Sequence, residues 1–220
     1  MFKKSGCVAV LALLCLFSAA FDEARAQAED APKVEVGVQF TSLTLSDSFN
    51  SSEPGFGGRV TYNLTDSVAL EAQVDFFPDG DRFRGFRNGG RITQGLFGVK
   101  AGKRFEKFGI FGKVRPGFTS FSAGREEAVL LSPPIPGTIF GQVIGFEPHR
   151  ETHFATDVGA VLEFYPTRRI VTRFDAGDTI IRFGDTTGTF FGATGTPQSF
   201  TLPGETRHNF QFSAGIGFRF

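Results

Sequence analysis

The sequence has no net charge. In 220 residues, 23 Lys and Arg stand against 23 Asp and Glu. That balance leaves none of the basic footprint of a nucleic-acid binder, and no nucleic-acid partner is expected. Past the first segment, no uninterrupted apolar run reaches the roughly 18 residues that a spanning helix needs. Cysteine is confined to Cys7 and Cys15. Both fall in that first segment, so a chain that loses it has no disulfide and must be held by its core or its backbone ladder. Tryptophan is absent, tyrosine occurs twice, and 29 Phe and 28 Gly are present instead. Phe and Gly in such excess favour many short strands and turns over helices. At roughly 150 residues per domain, one domain is expected.

Lys3 and Lys4 precede an uncharged run from Cys7 to Ala20, too short for a stable spanning helix but suited to a signal-peptide core. Ala24-Arg25-Ala26 supplies small residues in the cleavage pattern. Residues 1–26 are therefore expected to be a cleaved signal peptide, with Ala20 and Ala28 as alternative cut points. Leu13-Leu14 before Cys15 argues against a lipoprotein site.

From Lys33 onward the hydrophobic period is 2 rather than 3.6. Val34, Val36, Val38 and Phe40 alternate with Glu35, Gly37, Gln39 and Thr41. At the far end, His208, Phe210, Phe212, Ala214, Ile216, Phe218 and Phe220 alternate with Asn209, Gln211, Ser213, Gly215, Gly217 and Arg219. Similar segments near 57–64, 67–77, 91–104, 109–121, 152–165 and 169–183 bring the expected strands to eight. Short turns at 64–67, 105–108 and 165–168 alternate with long connections at 46–56, 78–90, 122–151 and 184–206. A sandwich has no reason to gather every short turn at one end. A membrane barrel does, with short periplasmic turns, long external loops and an even strand number.

Periodicity alone does not say which face is outside. A soluble barrel with a lipophilic ligand would turn its apolar face inward. The signal peptide, the loop asymmetry and the ending Gly-Ile-Gly-Phe-Arg-Phe decide for an apolar exterior. In these features residues 33–220 resemble the small eight-stranded outer-membrane barrels of the OmpA/OmpX type. The resemblance implies an all-β, eight-stranded, antiparallel up-and-down transmembrane barrel in the outer membrane of a Gram-negative-type bacterium, expected as a monomer among outer-membrane lipids and lipopolysaccharide. It also implies that Phe220, with Phe218, Ile216 and Phe212 on the same face, is the signal read by the outer-membrane assembly machinery. Two departures from the group are an expected lack of the peptidoglycan-binding domain of full-length OmpA proteins, and aromatic girdles that must be built from Phe.

With the apolar face outward, the inward set holds six acids, Glu35, Glu71, Asp75, Asp157, Glu163 and Asp175, and six bases, Arg59, Lys100, Lys113, Arg115, Arg173 and Arg219, besides Gln73 and Gln211. Charges kept from bulk water must be paired. An eight-stranded barrel is just wide enough for side chains to fill it, so this set reads as a cross-linked polar plug. The alternative is a network that rearranges to open a narrow gated pore for small solutes or ions. One inconsistency stays open: Asp178 and Arg182 share a face with Phe174 and Ile180. Either that strand has left the membrane by Gly177, or a bulge flips its register.

The connection at 78–90 interleaves Arg82, Arg84 and Arg87 with Phe and leads into Arg91. Guanidinium groups grip phosphates, so these four are candidates for binding surface anions such as lipopolysaccharide, against the alternative of a solvated loop. Runs at 128–131 and 139–146 around a Pro/Gly turn predict a hairpin beyond the membrane, and 189–191 with 199–201 repeat the theme. Such strands either offer an edge to a partner or pack on each other. Glu147, His149, Glu151 and His153 share one parity, with His208 apart, and make a thin basis for catalysis or a metal site. No catalytic set, cofactor or metal is expected.

Overall fold

The computed structural model describes residues 32–46, 51–78, 89–130, 144–191 and 197–220. The expected leader and Arg82, Arg84 and Arg87 lie outside the described residues. The strands are β1 (Val34–Leu45), β2 (Ser51–Asn63), β3 (Val68–Phe77), β4 (Gly89–Arg104), β5 (Phe108–Leu130), β6 (Ile144–Phe164), β7 (Ile170–Phe183), β8 (Thr186–Phe191), β9 (Pro197–Leu202) and β10 (Glu205–Arg219). Eight of them close a barrel in the order β1-β10-β7-β6-β5-β4-β3-β2, while β8 and β9 form a separate two-stranded sheet. Every pairing in the barrel is antiparallel, and β1 meets β10 from Glu35 opposite Arg219 to Thr44 opposite Phe210. The up-and-down topology expected from the alternation is therefore the fold.

The long connections are shorter than the sequence predicts. Residues 51–56 carry turn chemistry in Pro54 and Gly55, yet they pair with β1 from Leu45 opposite Ser51 to Phe40 opposite Phe56. A long, regular β1 supplies partners that override this local turn preference. The connection at 122–151 contains a strand ribbon running from Arg125 opposite His149 to Leu130 opposite Ile144, which is the predicted hairpin. β5 has 23 residues and β6 has 21, against the 9–11 or so that cross a bilayer. Within 184–206, β8 and β9 pair from Thr186 opposite Leu202 to Phe191 opposite Pro197. At the other end the turns are tight: Leu64 N–H donates to Val68 C=O at 2.9 Å, and Phe105 N–H to Phe108 C=O at 2.7 Å.

Between β4 and β5 two rungs are missing inside a continuous register, which resumes at Leu96 opposite Gly117 and at Val99 opposite Val114. The gap falls where Pro116, which has no N–H, would face Phe97. Beside it, a Cβ on Gly98 would stand 2.1 Å from the Val114 carbonyl oxygen, so only glycine allows this approach.

Along the part of the barrel nearer the short turns Val36, Val38, Phe40, Phe56, Val74, Val114 and Ile216 are exposed, while charged side chains are buried inside. Only a hydrocarbon solvent makes that arrangement stable, so this part spans a membrane. Above it the faces exchange roles. Leu43, Leu45, Phe77, Ile92, Phe121, Ala155, Ile181 and Phe183 cluster inside the barrel, while Ser52, Arg91, Arg150, Thr152, Thr206 and His208 are exposed outside. β7 keeps one register with β10 from Phe183 to Ile170, without a bulge, so Asp178 and Arg182 face outward. The strand has left the hydrocarbon there, which settles the inconsistency in favour of the first alternative.

Candidate functional site: the barrel interior

Strand parity carries the inward side chains, and these stack in layers from the short-turn end to the outer mouth. All twelve charged residues assigned to the interior are buried, with Arg115, Lys100, Asp157, Glu163, Glu71, Asp75 and Arg173 fully so. Arg173 is the centre. Its guanidinium spans both oxygens of Glu71, with Nη2 donating to Oε2 at 2.9 Å, and forks onto Asp175 through Nε and Nη2, each at 2.8 Å. Glu71 also faces Arg115 at 3.5 Å and Lys100 at 3.6 Å, and accepts from Thr61 Oγ1 at 3.2 Å. Lys100 Nζ reaches Glu163 at 2.5 Å and lies 4.6 Å from the centre of the Phe111 ring. Arg115 holds Asp157 through Nε at 2.9 Å and Nη2 at 2.5 Å. Lys113 bridges Asp157 at 2.9 Å and Asp175 at 3.3 Å, and Arg59 meets Asp175 at 3.9 Å. Arg219 Nε pairs with Glu35 at 3.0 Å. Asp75 departs from this pattern. It accepts from the Gln39 and Gln73 amides at 2.8 and 2.6 Å and has no cation in ion-pair range among the described residues.

Three neighbours of this network escape the sequence reading because they sit at strand ends and in a turn. Arg104 donates from Nε to Tyr165 Oη at 3.1 Å and from Nη2 to Asn63 Oδ1 at 3.3 Å, and it faces Glu35 at 3.6 Å. Tyr165 donates to Glu163 Oε2 at 2.9 Å, and Arg219 lies 4.0 Å from its ring centre. Burial, together with the Glu163 carboxylate, pushes the Tyr165 phenol up to about 12. The clue for Arg104 is its parity with Lys100 and Gly102.

Above the charges lies a neutral layer. Gln211 Nε2 donates to Thr41 Oγ1 at 3.2 Å and to Gln94 Oε1 at 3.1 Å, and Thr179 Oγ1 donates to Gln211 Oε1 at 2.7 Å. The apolar cluster of Leu43 to Phe183 caps it. His153 lies half-buried at this cap, 4.5 Å from the Phe183 ring centre, with Glu151 at 3.4 Å from its Nε2. His208 is not beside it: it pairs with Asp178 at 2.6 Å on the outer surface. The two histidines therefore lie on opposite faces of the barrel wall.

The other residues singled out by sequence lie on the outside. Phe212, Ile216, Phe218 and Phe220 are exposed on the lipid face of β10 and just beyond it, with Phe220 70% exposed and stacked edge-on at 5.0 Å from Phe218. Arg91 is exposed at the rim, and its backbone N–H donates to Ser122 Oγ at 2.8 Å.

Among solved structures, OprG from Pseudomonas aeruginosa is similar with a TM-score of 0.50 at 12% identity, covering 86% of this chain and 96% of that one. Neisserial surface protein A gives a TM-score of 0.48 at 14% identity over 87% of this chain and 100% of that one. No curated protein sequence matches this one significantly. The model of the outer membrane protein β-barrel domain matches residues 8–220. The closed antiparallel barrel agrees with this match, and the chain belongs to this family of barrels in the outer membrane of Gram-negative bacteria.

Proposed function

We propose that the protein is a closed structural barrel of the outer membrane, and that its role lies in membrane integrity and surface contact rather than in conduction. The observation that carries this reading is the double closure of the lumen. A buried ion-pair network fills the membrane level, and a layer of Leu43, Leu45, Phe77, Ile92, Phe121, Ile181 and Phe183 seals it from the outer side. An ion that enters must displace both. The β5–β6 ribbon and the β8–β9 hairpin stand beyond this seal and present the surface available for contact. Exposed Arg91 and Arg150 at the rim support lipopolysaccharide as the neighbour there.

Conductance of the refolded chain in a planar bilayer tests the reading. Wild type and Arg173→Ala are both expected to be silent, because the apolar layer stays intact when the network is loosened. Discrete steps in the wild type that change with Arg173→Ala would overturn it and make the interior a narrow gated pore.

A further inference from the structure

The short-turn end carries cations that the fold does not use. Inside the barrel almost every charge is matched. Lys107, Arg168 and Arg169, on two adjacent turns, and Lys103, at the end of β4, are all exposed, and among the described residues none of them is in an ion pair. Glu106 is the one acid on the same turns. The turns are fixed rather than loose. Tyr165 N–H donates to Lys107 C=O at 2.9 Å, which ties one turn to the other, and Arg219 N–H donates to Arg169 C=O at 2.8 Å. Thr167 Oγ1 accepts from the N–H groups of Arg169 at 3.3 Å and Ile170 at 3.1 Å.

An apolar border adjoins these cations. Phe105 and Phe108 stack at 4.6 Å, Phe108 pairs in register with Phe164, and Phe164 meets Phe174 edge-on at 6.2 Å. All four rings are exposed on the lipid side. Lys103 Nζ lies 5.7 Å from the Phe105 ring centre, so its stem follows the aromatic belt while its charge stands at the belt's edge. A fixed set of unmatched cations just outside an aromatic girdle has the shape and charge of a headgroup site. Acyl chains would lie along the Phe rings, and a phosphate would lie among the ammonium and guanidinium groups.

We infer that Lys103, Lys107, Arg168 and Arg169 bind the headgroup of an anionic phospholipid in the periplasmic leaflet of the outer membrane. The site is independent of whether the lumen conducts.

The chain refolded into bilayers of equal parts phosphatidylcholine and phosphatidylglycerol tests this. Spin-labelled lipids report which headgroup is motionally restricted at the protein surface. At roughly 1 kcal/mol per basic residue near an anionic surface, two engaged cations correspond to a preference for phosphatidylglycerol of about thirtyfold, which weakens as salt is raised. The variant K103Q/K107Q/R168Q/R169Q is expected to bring the preference close to unity, and the pairs K103Q/K107Q and R168Q/R169Q to fall between. R91Q/R150Q, which removes charge at the opposite end, should leave it in place. A wild-type chain with no preference overturns the inference. So does a preference that survives the quadruple change or disappears with R91Q/R150Q. Should the quadruple variant not fold, the wild type and the two pairs decide.

Discussion

Arg173→Met probes whether the barrel interior is dry. The substitution keeps most of the side-chain volume and removes one charge between Glu71 and Asp175, both buried. Breaking a buried pair from one side costs about 3–5 kcal/mol, because the remaining ion is left uncompensated. Here the remaining ions keep other partners. Glu71 still faces Arg115 at 3.5 Å and Lys100 at 3.6 Å, and Asp175 still faces Lys113 at 3.3 Å. The expected loss is therefore near the lower end, about 3 kcal/mol. Arg173→Met leaves the interior with one acid in excess, and adding Glu71→Gln restores the balance of charge, so the double variant should be more stable than Arg173→Met alone by about 1 kcal/mol. Reversible urea unfolding in phospholipid vesicles, followed by circular dichroism because the chain has no tryptophan, measures both. A loss below about 1 kcal/mol, the value of a solvent-exposed pair, would mean that water fills the lumen and would refute the plug.

Three further outcomes follow from the layers. Phe121→Ala opens a cavity in the outer seal and should cost about 3 kcal/mol in the same unfolding assay, while the bilayer stays silent because the network below is untouched. In a Tyr62→Phe background Tyr165 is the one tyrosine left, and its ultraviolet absorbance should show ionisation near pH 12. Its folded pKa lies above the ordinary value of 10, so its contribution to stability is complete below pH 10 and is lost as pH rises towards 12. A titration at the ordinary value would refute the buried contact with Glu163. Removing Phe220, 70% exposed and outside the core, should leave the urea midpoint in vesicles unchanged while lowering the amount of barrel assembled in cells. A shift of the midpoint instead would make it a packing residue.

Much of this was legible in the sequence because a strand's side-chain period is exact enough to sort faces. Parity alone groups Glu35 with Arg219 and Glu71 with Lys100, and the closed ladder carries that grouping into one interior. Tertiary context hid the rest. Pro54 and Gly55 read as loop until β1 is seen to run far enough to pair with them. Tyr165 stands in a turn, where a period of 2 gives no direction, and Arg104 closes β4 on the row of Lys100 and Gly102. The outer seal was present in the same parity, since Leu43 and Leu45 continue the row of Glu35, Gln39 and Thr41. It is overlooked when the interior is assumed to be polar along its whole height. Asp178 was the visible sign that the surroundings change partway up the strand.

That change has a mechanical consequence. Where the barrel turns from apolar-outside to apolar-inside, the same strands are fitted to two different solvents on either side of one line. Pushing the barrel deeper would drive Arg150, Arg182 and His208 into hydrocarbon, and pulling it outward would bring Phe40, Phe56 and Phe174 into water. Both displacements raise the free energy, so the exchange of faces acts as a waterline. It holds the β5–β6 ribbon at a set height above the membrane without any anchor outside the barrel wall.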